Sequence, residues 1–189
     1  CPILFTKNPE TGEFLVGAMF GFRPGENLIS GEPGADGGFR PLDVERQGFF
    51  IAGEEIAIDP ESSRLSYAEG DPLFEEDGEP TALMRRIQRA LALLVRGVEE
   101  TDVFIRTLVE LRIVEPVDIS LCFDDGENLQ FEGLYTVSLD SIAELDDSTA
   151  LSLFRKGYLQ MAYAIAGSLH QIRVLASRRN HRLVAGLQL

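Results

Sequence analysis

Two histidines, His170 and His181, and two cysteines, Cys1 and Cys122, are all that this 189-residue chain offers for imidazole or thiol chemistry. Nucleophilic catalysis needs a base within hydrogen-bond reach of the side chain it activates. Ser168 stands two positions before His170, and residues two apart on a helix project in different directions, so they do not form a dyad. His170 is expected instead on a helix surface or at an interface. The histidines and cysteines show no metal-ligand spacing, and neither a metal nor a cofactor is expected. Carboxylates are so abundant, 31 in all, that no pair stands out as acid and base. What remains is a set of polar binding candidates: Tyr135, Arg155, Tyr158, Tyr163, His170 and Gln171. The three tyrosines, Arg155 and Gln171 would line a cleft between the last helix and the hairpin before it. The competing reading is that the tyrosines bury their rings and satisfy their hydroxyls locally.

Two further stretches imitate ligand loops without meeting their requirements. The segment 31–38, GEPGADGG, is rich in glycine but lacks the Lys-Ser/Thr of a phosphate loop and carries two acids, so an acidic loop is expected. Segment 61–80 is crowded with acids but misses the alternating register of a calcium loop. Leu73 and Phe74 are its expected anchors in the core. The net charge of −14 is concentrated before residue 81, where 17 of the acidic residues but only 5 of the basic ones fall. Such a surface repels a phosphate backbone, which excludes nucleic acid as a partner. A protein, a peptide or a small molecule is the expected partner, and composition leaves the oligomeric state open. Two cysteines allow one disulfide and no disulfide framework. No run is long and apolar enough for a transmembrane helix, and no signal peptide is visible. A cytoplasmic location is expected, the cell surface requiring an export signal upstream of Cys1.

Positioning these residues falls to an α+β arrangement. Segments 2–7 and 14–22 flank the turn Asn8-Pro9-Glu10-Thr11-Gly12 and are expected to form a hairpin. Gly17 and Gly21 hint at a bulge or close packing in its second strand. Leu28-Ile29 and 39–43 are further strand candidates, and 48–52 and 55–58 form a short pair. From Thr81 onward the apolar period becomes helical, through Leu83, Ile87, Leu91, Leu94, Val98, Phe104, Leu108 and Leu111. Gly97 and the acids after it are expected to divide this run into helices at 82–98 and 101–113. Six arginines (85, 86, 89, 96, 106 and 112) mostly face away from the stripe and are expected to pair with nearby carboxylates. Strands at 117–123 and 128–137 surround Asp124-Asp125-Gly126-Glu127, the clearest hairpin signal in the chain. A short helix at 138–145 precedes one long helix at 148–177, capped by Asp146, Asp147 or Ser148. The antiparallel sheets of the N-terminal half and the 117–137 hairpin would thus pack on two or three long helices, with the 82–113 run as mate of the last. The expected organisation is a single domain over 1–176, β-rich to residue 80 and helical with a hairpin thereafter. Segment 177–189 loses periodicity and is expected as a partly ordered tail.

The stretch 131–175 carries a family resemblance. Gly133-Leu134-Tyr135, Leu145-Asp146-Asp147, Lys156-Gly157-Tyr158-Leu159 and Ser168-Leu169-His170-Gln171 follow the order of elements in the C-terminal region of the bacterial SapC family. Upstream, Gly25-Glu26-Asn27-Leu28, Leu73-Phe74 with Asp77-Gly78-Glu79-Pro80, and Glu115-Pro116 fit the same pattern. The resemblance spans nearly the whole chain except 31–38 and the tail. Two departures stand out. Family members extend further at the N-terminus, which makes Cys1 resemble an internal position and not a lipid-bearing one. Around Gln47-Gly48-Phe49 the family's aromatic-Pro-Phe element is missing.

The family takes its name from a surface-layer-associated protein. Its relatives resemble accessory genes beside TonB-dependent receptors and halogenase-like proteins. The resemblance therefore implies a non-catalytic binding or accessory protein concerned with an imported peptide or carbohydrate. An enzyme acting on a peptide or modified amino acid is the alternative, and a structural surface-layer protein the second alternative.

Overall fold

Asn8 starts the first reversal of the chain by accepting, through its side-chain oxygen, a hydrogen bond from the Glu10 N–H at 2.9 Å. Gly12 completes the turn at φ +73°, a left-handed conformation that suits glycine. The turn joins β1 (Ile3–Lys7) to β2 (Phe14–Ala18), paired antiparallel from Ile3↔Ala18 to Lys7↔Phe14. β2 therefore stops short of the expected residue 22. A Cβ at Gly21 would lie 2.4 Å from the Glu26 backbone oxygen, so the close packing there requires glycine. Leu28 is buried but lies in a bend, not a strand.

The computed structural model describes residues 1–29 and 41–186; the loop expected at 31–38 and the start of the strand expected at 39–43 fall outside the described residues. Where that strand would continue, α1 (Leu42–Glu45) forms instead, a single turn entered through Pro41 at φ −61°. β3 (Phe49–Ala52) and β4 (Glu55–Ile58) pair across Gly53 as expected. α2 (Ala82–Glu110) is followed by β5 (Val114–Cys122) and β6 (Asn128–Val137). The chain ends with α3 (Leu139–Ala143), α4 (Asp147–Arg155), α5 (Tyr158–Ser168) and α6 (Gln171–Gly186). The fold is α+β with antiparallel sheets, in agreement with the sequence.

Contacts divide the chain into two compact units, Phe39–Asp102 and Cys1–Gly38 with Val103–Leu189. In the larger unit the strand order is β2-β1-β6-β5, so β1 is flanked on both sides. Successive side chains on a strand point to opposite faces. Accordingly Phe5 joins Phe104, Ile105, Leu108, Val137, Ala162 and Ile165 in one buried cluster. Its neighbour Leu4 joins Phe22, Leu28, Ile119, Phe123, Ile172 and Leu175 in another. In the smaller unit Phe49 packs with Met84, Ile87 and Leu91. Leu73 packs against that cluster, whereas its neighbour Phe74 remains half exposed. Thr81 caps α2 by accepting from the Met84 N–H at 3.3 Å.

Three helical boundaries differ from the periodicity. α2 is continuous through Gly97, because one glycine costs only about 1 kcal/mol in propensity and the helix is long enough to absorb it. α2 ends with Arg112 at φ +58° and the Ile113 N–H bonded back to the Leu108 carbonyl at 2.9 Å, the signature of a Schellman cap. The expected helix 148–177 is three helices. Gly157 at φ +76° ends α4 and begins α5, and residues 169–170 form a turn between α5 and α6. The apolar rhythm survives both breaks, which is why it reads as one element. α6 also continues to Gly186, past the loss of periodicity at 177.

Asp146 caps α4 by accepting from the backbone N–H groups of Ser148 and Thr149, both at 3.0 Å, and from both hydroxyls. The side-chain bonds from Ser148 and Thr149, with the backbone bonds, hold its carboxyl well below the ordinary carboxylate range. A depressed folded-state pKa contributes stability above the unfolded value, and that stability is lost as pH falls through the folded one. Wild-type unfolding midpoints should therefore fall from pH 7 to pH 3 by more than those of Asp146→Asn, whose amide oxygen caps at both pH values. Urea titrations at the two pH values measure the difference.

Candidate functional site

Most of the residues singled out for chemistry are engaged by their own neighbourhoods. Ser168 accepts from the Ile3 N–H at 2.8 Å and donates to the Ile165 carbonyl at 2.7 Å, tying the start of β1 to α5. His170 presents Nδ1 to the Gly167 carbonyl, so the proton resides there, and Nε2 accepts from the Gln171 amide at 2.6 Å. Tyr158 sets its ring edge-on to Phe104, centroids 5.3 Å apart, with the Lys156 ammonium 5.7 Å from the Tyr158 centroid. Tyr135 does the same with Phe14 at 4.9 Å, and Lys7 lies over both rings. Arg155 and Tyr163 are exposed on α4 and α5. The structure thus joins His170 to Gln171 and gives each of the tyrosines at 135 and 158 an aromatic partner of its own.

A charged cluster that no local pattern announces lies at the turn between β5 and β6. The Arg179 side chain is 6% exposed; its Nη2 pairs with Glu127 at 2.5 Å, and its Nε lies 3.8 Å from Glu26. Its guanidinium carbon stands 4.4 Å from the Phe123 ring centroid, a cation–π contact. Arg23 donates to the other oxygen of Glu127 at 2.5 Å, and that bond and charge raise the Arg23 pKa. Glu26 also accepts from the Phe22 N–H at 2.6 Å. Flanking arginines cap backbone oxygens in the 20–29 segment: Arg178 at Leu28 (2.9 Å) and Arg182 at Asn27 (2.7 Å). These contacts hold α6 beyond residue 177, where amphipathic spacing has faded. The partners lie some 50 to 150 positions apart in sequence, so no spacing rule reveals them.

The β5–β6 hairpin carries a polar strip. Ile119, Leu121, Leu129 and Phe131 serve the buried cluster around Leu4, so the alternating Ser120, Cys122, Asn128 and Gln130 are exposed on the other face. Ser120 stands opposite Gln130 and Cys122 opposite Asn128. An open groove of about 350 Å³ is lined by these four with Leu121 and Leu129. Strand alternation in the sequence already contained this face, whose side chains are uncharged. Both cysteines carry free thiols, Cys122 exposed and Cys1 partly so. Among the described residues β5 pairs with β6 alone, which makes it an edge strand. Pro116 and the register shift between Val117 and Ile119 interrupt that edge, as edge strands commonly do to resist pairing with other chains.

Of the six arginines of the 82–113 run, Arg86 pairs with Glu45 at 3.0 Å and Arg96 with Glu100 at 2.7 Å. A second open groove, about 530 Å³, is lined by Arg85, Gln88, Arg89 and Ala92. Among the described residues no His, Cys, Asp or Glu grouping is arranged to hold a metal ion, and no helix is long and apolar enough to cross a membrane.

No curated protein and no solved structure matches the chain. A family model described as SapC matches residues 1–175, which takes in the sheet, its hairpins and the helices as far as Leu175. The chain belongs to the SapC family.

Proposed function

We propose that this SapC domain is a non-catalytic binding protein that takes a peptide or carbohydrate against the polar face of the β5–β6 hairpin. The groove lined by Ser120, Asn128 and Gln130 carries the reading. Hydroxyl and amide groups donate and accept hydrogen bonds without charge, the chemistry that recognises amides and sugar hydroxyls. Support also comes from His170, whose two ring nitrogens are engaged within its own chain. The setting implied by the family resemblance, beside receptors for imported substrates, agrees with an accessory binding role. Tyr163, His170 and Gln171 are the competing recognition candidates.

The test is an NMR titration with short peptides and oligosaccharides. Amide shifts are expected at 120–122 and 128–130, and Asn128→Ala with Gln130→Ala should weaken binding by about tenfold, as loss of two neutral hydrogen bonds does. Shifts confined to 163–171 would move the site to the competing candidates. Turnover of a peptide added to the purified protein would replace the binding reading with the enzymatic one.

A further inference from the structure

The middle of α2 presents a second face that its own unit leaves uncovered. Arg85, Gln88, Ala92, Val95, Glu99 and Asp102 recur at intervals of three and four, so they line one side of the helix. All six are exposed, Val95 at 51%. The open groove described above occupies the first two turns of this face.

Charge along the face is divided by position. From 85 to 96 the helix has four arginines and no acid; from 97 to 102 it has Glu99, Glu100 and Asp102 and no base. Arg86 and Arg96 are paired within the chain. Arg85 and Arg89 have no carboxylate partner among the described residues; the Arg89 Nε–H donates to the Arg85 carbonyl at 3.3 Å.

We propose that a second copy of this chain docks antiparallel along α2, with its Glu99 and Asp102 seated against Arg85 and Arg89. A two-fold axis between Leu93 and Leu94 sets Arg85 opposite Asp102, Gln88 opposite Glu99 and Ala92 opposite Val95. Every layer then joins unlike partners: base to acid at the ends, small to branched at the centre. An isologous contact of this kind needs a patch complementary to itself, and the division of charge along α2 supplies it. A foreign acidic peptide would satisfy the arginines but leave Glu99 and Asp102 facing like charge. The net charge of −14 on each copy opposes association at long range. Salt screens that repulsion beyond about 8 Å, so association should be weak and favoured at physiological ionic strength over very low salt.

Sedimentation velocity over a concentration series tests this directly. Wild type should show a reversible monomer–dimer equilibrium. Glu99→Arg brings arginine against Arg89, and Arg89→Glu brings acid against Glu99. Each alone should associate at least about tenfold more weakly, the effect of like charges placed in contact. Mixed in equal amounts, the two variants regain attraction at both ends of the contact, and dimer should return to about the wild-type level. These side chains are exposed, so thermal melts of the variants should match wild type. Wild type that stays monomeric at the highest concentration, variants that dimerise as wild type does, or a mixture that fails to recover would each overturn the proposal. Binding of a poly-glutamate peptide by monomeric wild type would overturn it too.

Discussion

Phe5→Ala is expected to lower unfolding stability by about 3–5 kcal/mol, the range for deleting a buried aromatic ring. The reason is position. Phe5 is 0% exposed and lies on β1, which pairs with β2 through Phe5↔Val16 and with β6 through Phe5↔Tyr135. Its ring meets Phe104, Leu108, Val137 and Ile165 in one cluster, so the loss creates a cavity bounded by a sheet and two helices that cannot all move inward. Ser168 adds to that rigidity by fixing the start of β1 to α5. Urea denaturation should show a lower midpoint with an unchanged slope. Leu15→Ala, half exposed on the edge strand β2, should shift the midpoint by less than about 0.5 kcal/mol equivalent.

Arg179→Met should cost about 2–4 kcal/mol, although methionine keeps most of the apolar stem. Removing one partner of a buried pair leaves the other charge uncompensated, which typically costs about 3–5 kcal/mol. Glu127 retains Arg23 and some solvent contact, which moves the expectation towards the lower end. The Phe123 ring loses its cation as well. The loss should be local before it is global: amide exchange should accelerate first in α6 and the 20–29 segment, which Arg178 and Arg182 also bridge. A variant with wild-type exchange in α6 would contradict this account of how the last helix is held.

These two residues divide between what can be read along the chain and what cannot. Phe5 belongs to an apolar strand before an Asn-Pro-Glu-Thr-Gly turn, and strand, turn and hairpin all follow from local chemistry. The same holds for the 117–137 hairpin around Asp125-Gly126, the 49–58 pair, the cap at Asp146 and the helical character of the 82–113 and 148–177 stretches. Binary pattern identifies these elements because burial of one face imposes a period of two or 3.6. Family membership was legible for the same reason, since it rests on the order of such short elements.

Arg179 belongs to the other class. Periodicity records which positions are apolar, not where the backbone turns, so α4, α5 and α6 read as one helix until Gly157 takes φ +76°. It also records only apolar contacts. α6 runs past residue 177 because arginines there reach a turn about 150 positions earlier, and no window along the chain contains both ends of that bond. The candidate site shows the same limit. Composition by itself argued against nucleic acid and offered no catalytic pair, since those conclusions depend on counts and spacing. How the tyrosines and Gln171 are placed depended on packing, and packing gave Tyr135 to Phe14, Tyr158 to Phe104 and Gln171 to His170. The polar hairpin face and the uncovered side of α2 were both written in the sequence as alternations. Only the tertiary structure decided that they stay exposed, because exposure is set by what the rest of the chain covers.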